Sequence, residues 1–427
     1  MSRIPVIAVF DIGKTNKKLL LFDEQYRIVY DKGERLPETK DEDGFPCEDL
    51  ELLTAWIKNT FRLALEDQRF EIEAVNFSGY GASFVHLDEH GQALTPLYNY
   101  LKPYPESLKK SLYNNYGGIH ELSVATASPA LGSLNSGLQL YRIKKEKPKV
   151  FKKIKHSLHL PQYLTHVLSG AYHTEITSVG CHTQLWDFRN GDYHDWVKAE
   201  GLIEKFPPLY SAPVGGLFGG SVPVGAGYHD SSSALIPYLA EFTEPFVLIS
   251  TGTWLISMNP FNQTPLTTEE LDSDCLCYLT PEGKQVKSSR YFGGDEHETI
   301  VKRISREFSV STDEYKRLKY HPASLKEEYH MRSFEKSYHQ CVKRIVDMLK
   351  KKTDLIMTQE IGKIYVDGGF SSNEIFMNFL ANAYLDKEVY AATVPQASAL
   401  GAALVFRDQW SPVRKTSGIV SLKRYVA

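Results

Sequence analysis

The sequence predicts an α/β protein built from two domains on a common plan. Three observations carry this. The chain has 427 residues, room for two or three domains of about 100–200 residues each. A buried-type strand, a small polar turn with a glycine and a second strand occur twice, at 6–22 and again at 246–258. Around those pairs, short apolar runs alternate with segments of helical periodicity. The hydrophobic fraction of 42% and charged fraction of 24% are ordinary for a globular chain with a large core. A net charge of −3 carries no nucleic-acid footprint.

The elements follow in order. Val6–Phe10 is an apolar strand that breaks at Asp11-Ile12-Gly13. Lys18–Phe22 is a second strand, 23–26 a turn and Arg27–Tyr30 a third strand, so the chain opens as a β-meander. Residues 49–67 space Leu50, Leu53, Trp56, Ile57 and Phe61 as a helix does. Ile72–Phe77 is a strand ending at Ser78-Gly79-Tyr80-Gly81, and a hairpin is expected through Phe84–Asp88 and Glu89-His90-Gly91. Residues 105–200 read as a mainly helical inserted subdomain. Near 211 glycines crowd together and the β pattern resumes, with a helix over 231–239. The domain boundary is expected at 240–245, giving domains 1–242 and 243–427. Phe246–Ser250 and Trp254–Met258 are strands, 335–351 a helix, Lys363–Asp367 a strand, and two more helices follow.

Five cysteines, Cys47, Cys181, Cys275, Cys277 and Cys341, imply no disulfide framework. Cys275 and Cys277 fit one face of a strand. The first residues lack a signal-peptide pattern, and no run of about 18 apolar residues exists to span a membrane. A cytoplasmic protein is the expectation, with no nucleic-acid or membrane partner.

Four turns could carry chemistry. In Asp11-Ile12-Gly13-Lys14-Thr15-Asn16, the glycine admits an anion to the backbone. Backbone N–H groups, Lys14 or Lys17 and the Thr15 hydroxyl can bind phosphate oxygens. Asp11 can hold Mg²⁺ directly or through water. The spacing is not that of a Walker loop, and an ordinary hairpin turn is the alternative. Ser250-Thr251-Gly252-Thr253-Trp254 suits a turn pressed on a polyphosphate, or a plain Thr-rich hairpin. In Val366-Asp367-Gly368-Gly369-Phe370-Ser371-Ser372-Asn373-Glu374, paired glycines let a flat group lie on the backbone, and Ser371 with Glu374 fits a capping box. The alternative there is a bare strand–turn–helix link. Gly227-Tyr228-His229-Asp230 sets an acid before a helix. A carboxylate there can take a hydroxyl proton during phosphoryl transfer; otherwise Asp230 is a helix N-cap.

Taken together in this order, the four turns resemble the FGGY carbohydrate kinases, of the actin/hexokinase-type ATPase superfamily, over about residues 5–408. Asp11–Thr15 resembles the first phosphate motif, Ser250–Thr253 the second and Asp367–Asn373 the adenosine motif. Ala397-Ser398-Ala399-Leu400-Gly401-Ala402-Ala403 resembles the small-residue helix after it, and Gly227–Asp230 the segment whose Asp is the base. Leu160–Leu164, Leu168-Ser169-Gly170, Thr174-Glu175 and Leu185-Trp186-Asp187 follow in family order. L-rhamnulose kinases, then L-fuculose kinases, are the most similar.

The resemblance implies two ribonuclease-H-like α/β domains with a cleft between them. It implies sugar on the N-terminal domain near Gly81, Ser83, Tyr100, His229 and Asp230, with Asp230 as base. It implies ATP on the C-terminal domain, its phosphates between Asp11, Gly13, Lys14, Thr15, Asn16 and Thr251, Gly252, Thr253, and its adenine by Gly368, Gly369, Ser372 and Asn373. Mg²⁺ would be held by Asp11. A ketose such as L-rhamnulose or L-fuculose is the implied acceptor; another pentulose, a tetrose or a polyol is the alternative, and a non-catalytic sugar or nucleotide sensor a further one. A monomer or homodimer is expected. Two departures fall where sugar contacts are expected: Ser83 stands in place of the family's Asp, and Tyr100-Leu101-Lys102-Pro103 in place of Tyr-Arg-Asp. Such changes in a polar pocket alter which hydroxyl pattern fits.

Overall fold

The computed structural model describes residues 3–210, 212–321, 333–410 and 418–426. Two seven-stranded mixed sheets, one in each half of the chain, form the α/β frame. The first holds β1 (Ile4–Ile12), β2 (Lys17–Asp23), β3 (Ile28–Glu34), β4 (Phe70–Gly79), β5 (Val214–Phe218), β6 (Val222–Gly225) and β7 (Tyr228–His229). Its order is β5-β6-β4-β1-β2-β3, with β7 also on β4. The second holds β8 (Phe246–Thr251), β9 (Leu255–Asn259), β10 (Cys275–Leu279), β11 (Gln285–Tyr291), β12 (Lys363–Gly368), β13 (Glu388–Thr393) and β14 (Ser421–Tyr425), in the order β10-β11-β9-β8-β12-β13-β14. In each, an antiparallel meander leads to a central strand paired in parallel with a later one: β1 with β4, β8 with β12. The repeated strand–turn–strand of the sequence is this duplication.

The central strands carry unbroken apolar runs, Val6–Phe10 and Phe246–Ile249, because both faces are covered there. Val6, Ala8 and Phe10 of β1 face one way, onto α1 (Leu50–Glu66) and α2 (Leu160–Ser169), where Phe10 stacks on Phe77 and meets Trp56 edge-on. Ile7 and Val9 face the other way, onto α3 (Ala397–Leu404). That helix comes from the far end of the chain. Conversely α4 (Asp230–Glu241), from the first half, lays Leu235 and Tyr238 on Phe246 and Leu248 of the second sheet. The two helices cross between the sheets. A Cβ on Gly401 would stand 1.8 Å from Ser233 O, so the approach requires glycine. Ser233 Oγ donates to Ser398 O at 2.7 Å.

Residues 106–206 add helices around their own core of Leu112, Tyr113, Leu138, Tyr141 and Trp196. The hairpin expected after Phe84 turns at 88–91, with Asp88 N–H donating to Gln92 O and Leu94 N–H to His86 O, but its return arm is only a Leu87–Ala93 bridge; along its length Phe84–Leu87 pairs with His156–His159. Among the described residues no helix is long and apolar enough to cross a membrane.

Candidate active site

The strand ends of the first sheet build one wall of a cleft. Asp11 on β1 pairs with Ser78 on β4, and Tyr228–His229 pair with Ser78–Gly79 from the other side of β4. β7 therefore hands Asp230 to the cleft as the first residue of α4. His229, not Asp230, is the N-cap. The Asp230 carboxylate stays 39% exposed, accepts the Ser231 N–H at 2.7 Å and lies 3.4 Å from His229 Nε2. Asp11 sits beside it. Burial, and after it the Asp230 charge, push the Asp11 carboxyl up to about 6. Ser398 Oγ, at the start of α3, donates to Asp11 Oδ1 at 3.1 Å.

This pair fits a magnesium ion. The Asp230 charge is near enough to help raise the Asp11 carboxyl, and among the described residues neither forms an ion pair with a Lys or Arg. A hard divalent cation with oxygen ligands is what such a set takes. Across the cleft, Asp367 Oδ1 is buried without a partner, while its Oδ2 accepts from Tyr238.

The acceptor side is aromatic and imidazole-rich. A side chain on Gly81 would strike the His229 ring. Tyr100 stands edge-on to Tyr80 at 5.6 Å, and burial with the charges of Asp230 and Glu48 pushes its phenol up. Ser83 is fully buried and donates to Tyr98 O at 2.8 Å. That hydroxyl anchors the segment leading to Tyr100 rather than facing the cleft. Sequence reasoning missed His182, edge-on to His229 at 5.8 Å, and Tyr278, stacked on it at 5.8 Å. It also missed Arg290, whose guanidinium lies over Trp254 and holds the His182 imidazole down together with burial and His229. Their only trace in the sequence was the 174–187 run that contains His182.

The first turn is closed by Gly13 N–H to Asn16 O at 3.0 Å. Lys14 pairs with Glu38, and Asn16 Oδ1 accepts from Arg35. Thr15 is exposed. Lys17, expected as a phosphate ligand in place of Lys14, is buried instead: its ammonium holds Glu48 at 2.7 Å and the Gly13 and Lys14 carbonyls at 3.1 Å. All its donors are taken, and it braces the turn from beneath.

The second lobe carries a cavity of about 800 Å³. Thr251, Gly252, Thr253, Gly369, Ser372 and Asn373 line it, and no residue of the 11–16 turn does. Thr251 Oγ1 is clamped between Asp367 O and the Phe370 N–H, so the β8 and β12 turns form one unit. Gly368 has φ +79°, and a Cβ there would meet Thr251 O at 2.1 Å. The Ser371 capping box is not formed. Asn373 is the cap, accepting from Phe376 N, and its Nδ2 donates to Tyr338. The opposite wall, missed from sequence, runs from Gly294 through His297 and Tyr315. Gly294 N–H donates to Thr253 O at 3.1 Å, fixing a helix N-terminus against the Gly252 turn. The cavity has the volume a nucleotide needs.

Comparison with known proteins bears on the family and the fold. Residues 6–236 match the N-terminal domain of the FGGY family of carbohydrate kinases, and 243–333 match a carbohydrate kinase FGGY C-terminal domain. The chain is 25% identical over 308 residues to an L-fuculokinase of Salmonella typhi, covering 64% of this chain and 62% of that one. It is 26% identical over 184 residues to a rhamnulokinase of Halalkalibacterium halodurans, covering 42% and 39%. The matched stretches thus span less than two thirds of these relatives. A carbohydrate kinase from Novosphingobium aromaticivorans superposes with TM-score 0.83 at 24% identity, covering 99% of this chain and 94% of that one. A ligand-bound xylulose kinase from Lactobacillus acidophilus does so with TM-score 0.80 at 16% identity and the same coverage. At these identities the structural likeness shows the fold.

Proposed function

This chain belongs to the FGGY family of carbohydrate kinases, and on that premise we propose that it transfers the γ-phosphate of ATP to a hydroxyl of a small sugar, a ketose such as L-rhamnulose or L-fuculose. Residues 1–242 form the sugar-binding domain and residues 243–427 the ATP-binding domain. The observation that carries this reading is the half-exposed Asp230 carboxylate at the start of α4, whose charge helps raise the neighbouring Asp11.

In this reading Asp230 accepts the proton of the sugar hydroxyl as its oxygen attacks in line. His229, Tyr100 and the backbone at Gly81 orient the sugar, and Ser83 acts through the segment it anchors. Asp11 would hold Mg²⁺, which would supply neutralisation of phosphate charge. The Gly13–Asn16 and Gly252–Thr253 turns cradle the phosphates from both lobes, and Gly368, Gly369, Ser372 and Asn373 border the adenosine. The crossed α3 and α4 join the lobes, and closure about them excludes water from the reacting phosphate.

The curated relatives named fuculokinase and rhamnulokinase support a deoxy-ketose, whereas Ser83 and Lys102 depart from the rhamnulokinase pattern. A panel of ketoses, tetroses and polyols with coupled ADP detection tests the proposal. At least one acceptor should raise ADP release well above the acceptor-free rate. A chain that binds ATP yet responds to no acceptor would be a sensor, not a kinase.

A further inference from the structure

Cys181 Sγ, one ring nitrogen of His182 and one of His229 all lie within 4.8 Å of one another. Cys181 and His229 are buried, and His182 is partly open. Two features set this trio apart from core packing. His229 Nδ1 is buried with no hydrogen-bond partner, a costly state unless something fills it. His182 Nδ1 lies 3.2 Å from Leu134 O; donating there leaves Nε2 with its lone pair, the way carbonyls fix metal-ligating imidazoles.

We propose that Cys181, His182 and His229 form a binding site for a thiophilic divalent cation, Zn²⁺ foremost. One sulfur and two imidazole nitrogens form a zinc-type donor set, unlike the all-oxygen set at Asp11. Metal–ligand lengths of about 2.0–2.3 Å ask for modest closing of the trio. Binding forms the Zn–S bond as the Cys181 thiol releases its proton to water, with no change of oxidation state. Asp230 Oδ1 lies 3.4 Å from His229 Nε2, on the other ring nitrogen, so water completes the fourth position. Zn²⁺ there fixes the His229 ring that would orient the sugar, so it weakens acceptor binding. The binding claim is independent of the kinase reading; only the inhibition rests on it.

The test is titration of the metal-free full chain with Co²⁺, followed by thiolate-to-cobalt charge-transfer absorption, then displacement by Zn²⁺. The expected result is one Co²⁺ per chain, a charge-transfer band absent in Cys181→Ser, and at least ten-fold weaker binding in His182→Gln. No band in the natural chain overturns the proposal, as does a band that survives in folded Cys181→Ser, which would come from another cysteine. If Cys181→Ser does not fold, unchanged Co²⁺ affinity in His182→Gln overturns it equally. With an active acceptor in hand, Zn²⁺ should raise KM for the acceptor several-fold and leave nucleotide binding unchanged. Failure of the acceptor panel would void only this last arm.

Discussion

Replacing Asp11 by Asn should make the ligand-free protein more stable while removing its activity. Burial and the neighbouring Asp230 raise the Asp11 carboxyl from 3.8 to about 6. At roughly 1.36 kcal/mol per pH unit, a shift of about two units corresponds to about 3 kcal/mol. The sign follows from proton counting. Between pH 3.8 and about 6 the folded chain keeps a proton that the unfolded chain has lost, so stability falls as pH rises through that window and the penalty is complete above it. Asn carries no charge and escapes the penalty, while its Oδ1 can still accept from Ser398. Asp11 is not wholly shut from solvent, which makes the full figure a ceiling; a gain of about 1–3 kcal/mol is expected at pH 7.5. Urea unfolding of both proteins without Mg²⁺ at several pH values measures it. The gap should be widest at pH 7.5 and narrow steadily toward pH 4. Added Mg²⁺ and nucleotide should stabilise the natural chain more than the variant, and turnover of the variant should fall at least about a hundred-fold. A variant no more stable than the natural chain at pH 7.5 would refute the electrostatic reasoning.

Other substitutions probe the frame around the site. Gly401→Ala gains about 1 kcal/mol of helix propensity, yet its methyl would overlap the Ser233 carbonyl; the net result should be a lower thermal midpoint, and a raised one would deny the close crossing of α3 and α4. Gly368→Ala forces a left-handed residue against Thr251 O and should weaken nucleotide binding at least ten-fold by calorimetry. Lys17→Met leaves Glu48 buried without its cation, which should destabilise by about 3–5 kcal/mol. Lys17→Met combined with Glu48→Gln should recover most of that in chemical denaturation.

Much of this was legible in the sequence where the cause is local. Apolar runs at 6–10 and 246–250 marked strands buried on both faces, and the periodicity of 49–67 marked α1. Non-local causes left no such mark. Phe84–Leu87 pairs with His156–His159 across some seventy residues, so a nearby hairpin was the natural expectation. β13 and β14 are short, and β14 is largely exposed at the sheet edge, so no buried-strand pattern announced them. Near the site, residue type pointed to the right places but not always to the right task. A lysine beside a glycine turn suits phosphate, and only the fold reveals that Glu48 holds Lys17. Ser371 and Asn373 are both good caps, two residues apart, and backbone geometry chose Asn373. Cys181 and His182 gain meaning only once β7 brings His229 to them.

The most direct measurement is turnover and sugar binding of Asp230→Asn against the natural chain, with the best acceptor from the panel. A loss of about 10²–10⁴-fold in kcat with sugar affinity changed far less is the predicted result. Turnover close to that of the natural chain would contradict the account, since the proton would then have another acceptor.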